Sequence, residues 1–293
     1  MDSVFRVPPR LEGERLDKAL AEMMPGSSRR MIRSAIGRGG VYHNGKRCLK
    51  VSRPVMAGDR IELCGETGGT FPETASGALS IIMSEEGMVA VDKPPMVPST
   101  PTRSSTMSAQ REVAERFGIK LASVHPVNRL DLPVSGVLLF ALGREAAARA
   151  EEAKRRFLLE KDYLAWVRGV PGGIEGVIEQ KLSSEKGTAF VDDGGKESVT
   201  RYRKVRTSGM FTLLEVRPVT GRMHQIRVHL RAAGFPIVGD RKYGDPPYIT
   251  GRPLLHCLRI SFPSLEPGRR ITAEAGTPED FESFELSAKD GTT

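Results

Sequence analysis

Cysteine is scarce in this chain. Cys48, Cys64 and Cys257 are three residues among 293, widely spaced and odd in number. They supply neither a disulfide framework nor a CxxC pair, which argues against a stapled secreted fold and a thiolate metal site and favours a reducing, cytoplasmic setting. Long apolar runs are missing too, none approaching the ~20 residues that a membrane-spanning helix needs. The opening stretch MDSVFRVPPRLEGERLD carries acids early and lacks the apolar block of a secretory leader. Also absent are HExxH, a GxxxxGK[ST] phosphate loop and a GxGxxG opening a helix. His224 and His229 stand five residues apart, about 140° around a helix of ~3.6 residues per turn, so they share no face on which to hold a metal. No metal is expected, and the histidines read as hydrogen-bonding or polyanion-contacting groups.

What is present is positive charge. With 44 Lys and Arg against 36 Asp and Glu, the formal net charge is +8 and the isoelectric point about 9.5, a balance that favours a polyanionic partner. The charge is concentrated. Residues 27–53 hold Arg29, Arg30, Arg33, Arg38, Lys46, Arg47, Lys50 and Arg53 without one Asp or Glu. A merely solvated face mixes both signs, so this stretch reads as a phosphate-binding surface. Leu16, Ala19, Leu20 and Met23 at helical spacing predict a short amphipathic helix. Ser27 or Ser28 can cap a second, roughly 29–37, ending at Gly39-Gly40. Val41-Tyr42, a turn at Asn44-Gly45 and a strand at 60–63 follow. The words RLDKALAE, SRRMIRSAIGRGGVYHNGK and VMAGDRIEL resemble the small RNA-binding domain named after ribosomal protein S4, which implies docking on folded RNA through the second helix and the hairpin. That domain is expected over 1–64. GETGGTFPETASGA, residues 65–78, reads as a linker, and a larger region of alternating strands and helices is expected over 79–285, with a frayed tail at 286–293.

Three segments of the larger region combine polar residues with rigid surroundings. In HPVNRLDLPVSGVLLFAL, VLLFAL is a buried strand by composition, and Pro133 and Gly136 define a turn before it. Asp131 therefore sits on a constrained loop at the strand's mouth, where an Asp most often serves as a backbone acceptor. In TGRMHQIRVHLRAAG, Met223, Ile226, Leu230 and Ala233 mark one helical face, with Thr220 able to cap its start and Gly234 its end. Arg227 borders that buried stripe and so demands a carboxylate or a phosphate, since an unpaired buried charge costs several kcal/mol by rough estimate. Arg222 and Arg231 point outward more freely. In LEKDYLAWVRG, Tyr163, Ala165 and Val167 alternate with Leu164, Trp166 and Arg168, a strand with two dissimilar faces. Tyr163 reads as a core aromatic or as a stacking face for a base.

Five words now stand in order: Asn128-Arg129-Leu130-Asp131 with Ser135-Gly136; Lys161-Asp162-Tyr163-Leu164-Ala165; Thr220-Gly221-Arg222-Met223-His224-Gln225-Ile226-Arg227; Pro236-Ile237-Val238-Gly239-Asp240 with Tyr243-Gly244; and Leu255-His256 through Phe262-Pro263. Together they resemble the RluA family of pseudouridine synthases over roughly residues 79–265. Asn128 stands where that family usually has His, Val134 where it usually has Thr, and VDKPPMVPSTPT lacks the glycine that commonly follows Lys-Pro. The resemblance implies an α+β fold: the small RNA-binding domain, then a catalytic domain with a mixed, mainly antiparallel sheet and a central cleft. It implies Asp131 as the catalytic carboxylate, Tyr163 stacked on the target uracil, and Arg227 paired with Asp131 to hold it ionised and oriented. It places Arg129, Arg222, His224 and Gln225 among the RNA contacts. No cofactor is expected, because the isomerisation gains no atom and oxidises nothing. The implied partner is RNA, with large-subunit ribosomal RNA favoured and transfer RNA the alternative. The chain is expected to act as a monomer, away from membranes. A non-catalytic RNA-binding or ribosome-assembly factor on the same scaffold is the rival reading.

Overall fold

The computed structural model describes residues 3–25, 27–37, 41–48, 50–63, 79–102, 107–246 and 249–289. Arg38, Cys64 and the expected linker 65–78 lie outside the described residues, as do the side chains of Arg30, Lys46 and Arg47. The chain divides into two compact units: Met1–Ala78 with Pro101–Met107, and Leu79–Thr100 with Ser108–Thr293.

In the first unit β1 (Ser3–Arg6), α1 (Leu16–Met23) and α2 (Arg29–Gly37) precede β2 (Val41–His43), β3 (Lys46–Arg47) and β4 (Arg60–Leu63). The strands form an antiparallel sheet in the order β1-β4-β2-β3. The helical spacing read from the sequence becomes one core: Leu16, Ala19 and Leu20 of α1 and Ile32, Ala35 and Ile36 of α2 are buried with Val41, Ile61 and Leu63 of the sheet. Asn44 and Gly45 both take positive φ, as a two-residue hairpin loop with the right-handed strand twist requires.

The second unit opens with β5 (Ser80–Glu85), β6 (Met88–Lys93), α3 (Ala109–Arg116) and β7 (Val124–Pro126). Next come β8 (Ser135–Leu142), α4 (Gly143–Arg155), β9 (Glu160–Arg168), β10 (Glu175–Glu179), and a separate hairpin of β11 (Leu182–Glu185) and β12 (Thr188–Val191). β13 (Val199–Ser208), β14 (Phe211–Pro218), α5 (Gln225–Ala232), β15 (Leu255–Pro263), β16 (Arg270–Glu274) and α6 (Glu279–Lys289) complete it. The large sheet runs β10-β13-β14-β9-β15-β8-β6-β5, with β16 on β15 and β7 on β8. Its described pairs are antiparallel except β15 with β8. The protein is thus α+β with a mixed, mostly antiparallel sheet.

The two faces of β9 expected from alternation are both buried. Tyr163, Ala165 and Val167 join the main core with the apolar run of β8, while Trp166 meets Phe211, Phe281 and Phe284 in a second cluster closed by α6. That helix corrects the expected tail: it continues to Lys289 and buries Ala288, because its aromatic face covers the far side of β9 and β14. No helix among the described residues is long and apolar enough to cross a membrane.

Candidate active site

Asp131 lies in the loop between β7 and β8, and its neighbours explain why that loop has one shape. The Asn128 amide donates to Val137 O (3.2 Å) and accepts from Leu139 N (2.7 Å), stitching the loop to β8. Ser99 Oγ accepts from Leu130 N and donates to Leu130 O. Leu132 O accepts from Met96 N (2.7 Å) and from the buried Lys93 Nζ (3.4 Å), which also donates to Pro94 O and Val97 O. Burial, reinforced by the Arg252 charge and opposed by Asp131 and Asp92, brings the Lys93 ammonium down to about 7. Gly136 has φ +109, and a Cβ there would stand 2.1 Å from Cys257 O. Only glycine lets β8 approach β15 so closely.

Across from the loop, α5 presents Arg227, which is 6% exposed. Its Nη1 donates to Asp131 Oδ2 at 2.7 Å, while Nε and Nη2 donate to both oxygens of Asp240 at 2.6 and 2.7 Å. Asp240 is itself buried and accepts from Lys242 N and Tyr243 N. Burial alone would weaken the Arg227 cation. The Asp240 hydrogen bonds, with the Asp240 and Asp131 charges, outweigh it and raise its pKa. The Asp131 side chain remains 26% exposed. A buried, twice-anchored guanidinium therefore fixes a carboxylate that solvent or a substrate can reach.

Tyr163 reaches the same place by register. It pairs with Cys257 on β15, which pairs with Gly136 on β8, five residues after Asp131. Burial raises the Tyr163 phenol well above its ordinary value, with the Cys257 thiol beside it and the Asp131 charge adding to the effect. His224 precedes α5 with φ 51; its Nε2 is 3.6 Å from Asp131 Oδ2 and its Nδ1 2.7 Å from Tyr243 Oη. Arg129 is exposed two residues before Asp131. Arg222 is exposed and donates to Glu197 O. Among the described residues, no three His, Cys, Asp or Glu side chains are grouped to hold a metal ion.

Two expectations need correction. The helix does not start at Thr220: α5 begins at Gln225, because His224 takes a left-handed conformation that ends the preceding loop. Met223 is accordingly exposed rather than part of the buried stripe. Gln225 is not placed as an RNA contact. Its Oε1 accepts from Thr220 Oγ1 and Arg222 N, and its Nε2 donates to Val199 O and Thr200 Oγ1. Buried, with both donors and its acceptor used, it shapes the loop that carries Arg222 and His224. Asp240 and Tyr243 stood in the fourth of the sequence words but, like Lys93, were assigned no role there. The signal for Asp240 was available, since a guanidinium has five donors and Asp131 takes only one of them.

In the first unit, Arg29 and Lys50 are exposed, and Arg33 is exposed with its Nε donating to Asp17 Oδ2 at 2.8 Å. Asp17 is 1% exposed and also accepts from Arg15 Nε and Nη2. Burial opposes its charge, but the hydrogen bonds from Arg15 and Arg33 and their charges lower its pKa.

Comparison with known proteins finds relatives of both units. Residues 87–232 match the family model described as RNA pseudouridylate synthase, and residues 14–61 match that of the S4 domain. A relative from Chloroflexus aurantiacus named uncharacterized RNA pseudouridine synthase is 31% identical over 96% of this chain and 92% of its own length. The ribosomal large subunit pseudouridine synthase C of Rickettsia bellii is 28% identical over 91% of this chain and 95% of its own. The solved structure of human RNA pseudouridylate synthase domain containing 1 superposes with a TM-score of 0.56 at 25% identity, covering 73% of this chain and 86% of that one.

Proposed function

We propose a substrate and a catalytic residue for a chain that belongs to the RNA pseudouridylate synthase family, carries an S4 domain, and is thereby an isomerase of uridine in RNA. The substrate is large-subunit ribosomal RNA and the catalytic group is Asp131, in a protein acting as a cytoplasmic monomer. The observation that carries the catalytic part is the 2.7 Å contact between Asp131 Oδ2 and an Arg227 that Asp240 holds from behind. Two things support the substrate: an S4 domain in the same chain and a full-length relative named for the ribosomal large subunit.

The chemistry asks little beyond such a carboxylate. The N1–C1′ bond of uridine breaks and a C1′–C5 bond forms; the proton leaves C5 and N1 ends protonated, so atoms and electrons balance without a co-reactant. The placement of Asp131 serves attack at C1′ or removal of a sugar proton equally. The detached uracil stays in the site, which makes its recombination nearly unimolecular. The target nucleotide must first leave its stack, because a base cannot turn about its sugar within a helix. In this reading Tyr163 stacks on the extruded uracil, and Arg129 and Arg222 contact the surrounding RNA.

The test incubates unmodified large-subunit ribosomal RNA with wild-type protein and with Asp131→Ala, then maps pseudouridines. Wild-type protein is expected to create one or a few sites and the variant none, while affinity for the RNA stays within about tenfold, roughly 1.4 kcal/mol. Wild-type rates from Asp131→Ala would end the catalytic assignment. Sites appearing only in transfer RNA would replace the substrate. An Asp131→Ala strain with normal ribosome assembly and growth would favour an assembly role over modification.

A further inference from the structure

We propose that His224 is a positioning residue for Asp131, locked by Tyr243 in the tautomer that carries its proton on Nε2, facing the carboxylate. The proposal rests on the reading of Asp131 as the catalytic group.

The lock follows from counting hydrogens. Tyr243 Oη accepts the Ala189 N–H at 2.9 Å, from the β11–β12 hairpin, and lies 2.7 Å from His224 Nδ1. The phenol has one hydrogen, and Nδ1 is placed to accept it. Nδ1 then carries no proton, so Nε2 carries it, directed at Asp131 Oδ2. The other tautomer would aim the Nε2 lone pair at a carboxylate oxygen and take the phenol hydrogen off its acceptor. Tyr243 is in turn held in place: its N–H donates to Asp240 Oδ1, and the Arg227 guanidinium lies 5.0 Å from its ring centroid. One buried carboxylate, Asp240, thus orients both routes to the same oxygen of Asp131, directly through Arg227 and through Tyr243 to His224.

Burial, joined by the Arg227 and Lys242 charges and opposed by those of Asp131 and Asp240, lowers the imidazole to about 4. The ring that faces Asp131 is therefore neutral near pH 7. At 3.6 Å the contact is longer than a hydrogen bond. Arg227 holds the oxygen in this state, and the imidazole N–H is set to take it up when the carboxylate shifts toward the sugar, a movement of under about 1 Å. Tyr243 and Asp240 lie beyond the residues matched by the family model, so this support belongs to the part of the chain the match does not describe. The role also differs from the RNA contact expected for His224, which would act on KM rather than on turnover.

The experiment uses full-length protein labelled with nitrogen-15 at histidine, with His224 assigned by its loss in His224→Gln. The wild-type spectrum is expected to show His224 as the neutral Nε2–H tautomer from pH 8 to 6. Tyr243→Phe should mix the tautomers and lower kcat about tenfold with KM within about twofold. His224→Gln, whose amide N–H reaches the same oxygen, should keep more activity than His224→Leu. An Nδ1–H tautomer in the wild type, or wild-type kcat in Tyr243→Phe, would overturn the proposal. Full activity of Asp131→Asn would instead remove the catalytic reading beneath it, a failure visible without reference to the histidine spectrum.

Discussion

In the S4 unit a buried carboxylate, Asp17, aims two exposed guanidiniums, those of Arg15 and Arg33; in the catalytic unit a buried guanidinium, Arg227, aims a part-exposed carboxylate, that of Asp131. The ion pairs are chemically alike and their burial is exchanged. The buried member bears the desolvation cost and gives up its freedom, and the exposed member is what the unit offers to a ligand. An array of cations suits phosphates, whereas a single fixed carboxylate suits an electron-poor sugar carbon or an acidic sugar proton. The buried members also differ in what they need. Asp17 is satisfied by arginines that solvent still reaches. Arg227, with its charge almost entirely out of water, requires the second carboxylate of Asp240.

The sharpest way to break the comparison is to remove the buried cation. Arg227→Leu leaves Asp240 buried with backbone donors but no counter-charge, which should cost about 3–5 kcal/mol of stability. Trp166, the chain's one tryptophan, sits in the catalytic unit, so urea unfolding followed by its fluorescence reads this loss. Arg227→Leu with Asp240→Leu should recover most of the stability and none of the activity. A loss below about 1 kcal/mol in the single variant would mean that Asp240 tolerates its burial unaided.

Acid should separate the units next. His256 lies against Ser135 Oγ at 2.9 Å, and burial together with the Arg252 charge, against Asp280, lowers it to about 4. An unfolded chain takes up that proton near 6.5 and the folded chain declines it. The stability from neutral His256 is therefore complete above about pH 6.5 and is lost as pH falls toward 4, about 3 kcal/mol in all. The lowered groups of the S4 unit are carboxylates. Burial opposes the charge of Asp59, but Met56 N, Asn44 and His43 bring it to about 2. Its contribution is complete above about pH 4 and is lost only as pH falls toward 2. Hydrogen exchange between pH 6.5 and 4 should accordingly show the core of β8, β9 and β15 weakening while α1, α2 and β4 hold. Equal weakening of both units would contradict this.

The fold was legible where periodicity and burial agreed. Leu16, Ala19 and Leu20, the apolar run of β8 and the two-faced β9 each say in sequence where they pack. The site was legible less evenly. Asp131, Tyr163, Arg227 and Asp240 all stood inside recognisable words, but the words do not say which of these side chains meet. Asp240 follows a tight loop whose Gly239 admits no side chain, since a Cβ would meet Thr250 Oγ1 and Arg252 O. Nothing in local spacing connects it to Arg227. Met223 was misread because helical periodicity was carried back through His224, whose left-handed backbone lets the helix begin only at Gln225; Gln225 was expected to contact RNA from the resemblance alone. Backbone carbonyl and hydroxyl partners such as those of Val199, Thr220 and Thr200 leave no pattern in a sequence, so saturation of Gln225 could be seen only in three dimensions.

The smallest expected effect tests the outward-facing half of the comparison. Arg33 is anchored through Nε, and among the described residues its Nη groups are left to meet a phosphate while Asp17 keeps Arg15 as a partner. Arg33→Ala should leave the unfolding of the S4 unit within about 1 kcal/mol of wild type, as removal of an exposed member of an ion pair does. It should weaken RNA binding, and the plot of log affinity against log salt should become shallower by about 0.7–0.9, one phosphate's share of released counterion. Asp17→Asn keeps both arginines but loosens their aim, so its slope should stay near wild type while affinity falls at every salt concentration. Two variants with the same slope and the same affinity would show that Asp17 positions nothing that RNA touches, and the symmetry between the two units would then be one of folding alone.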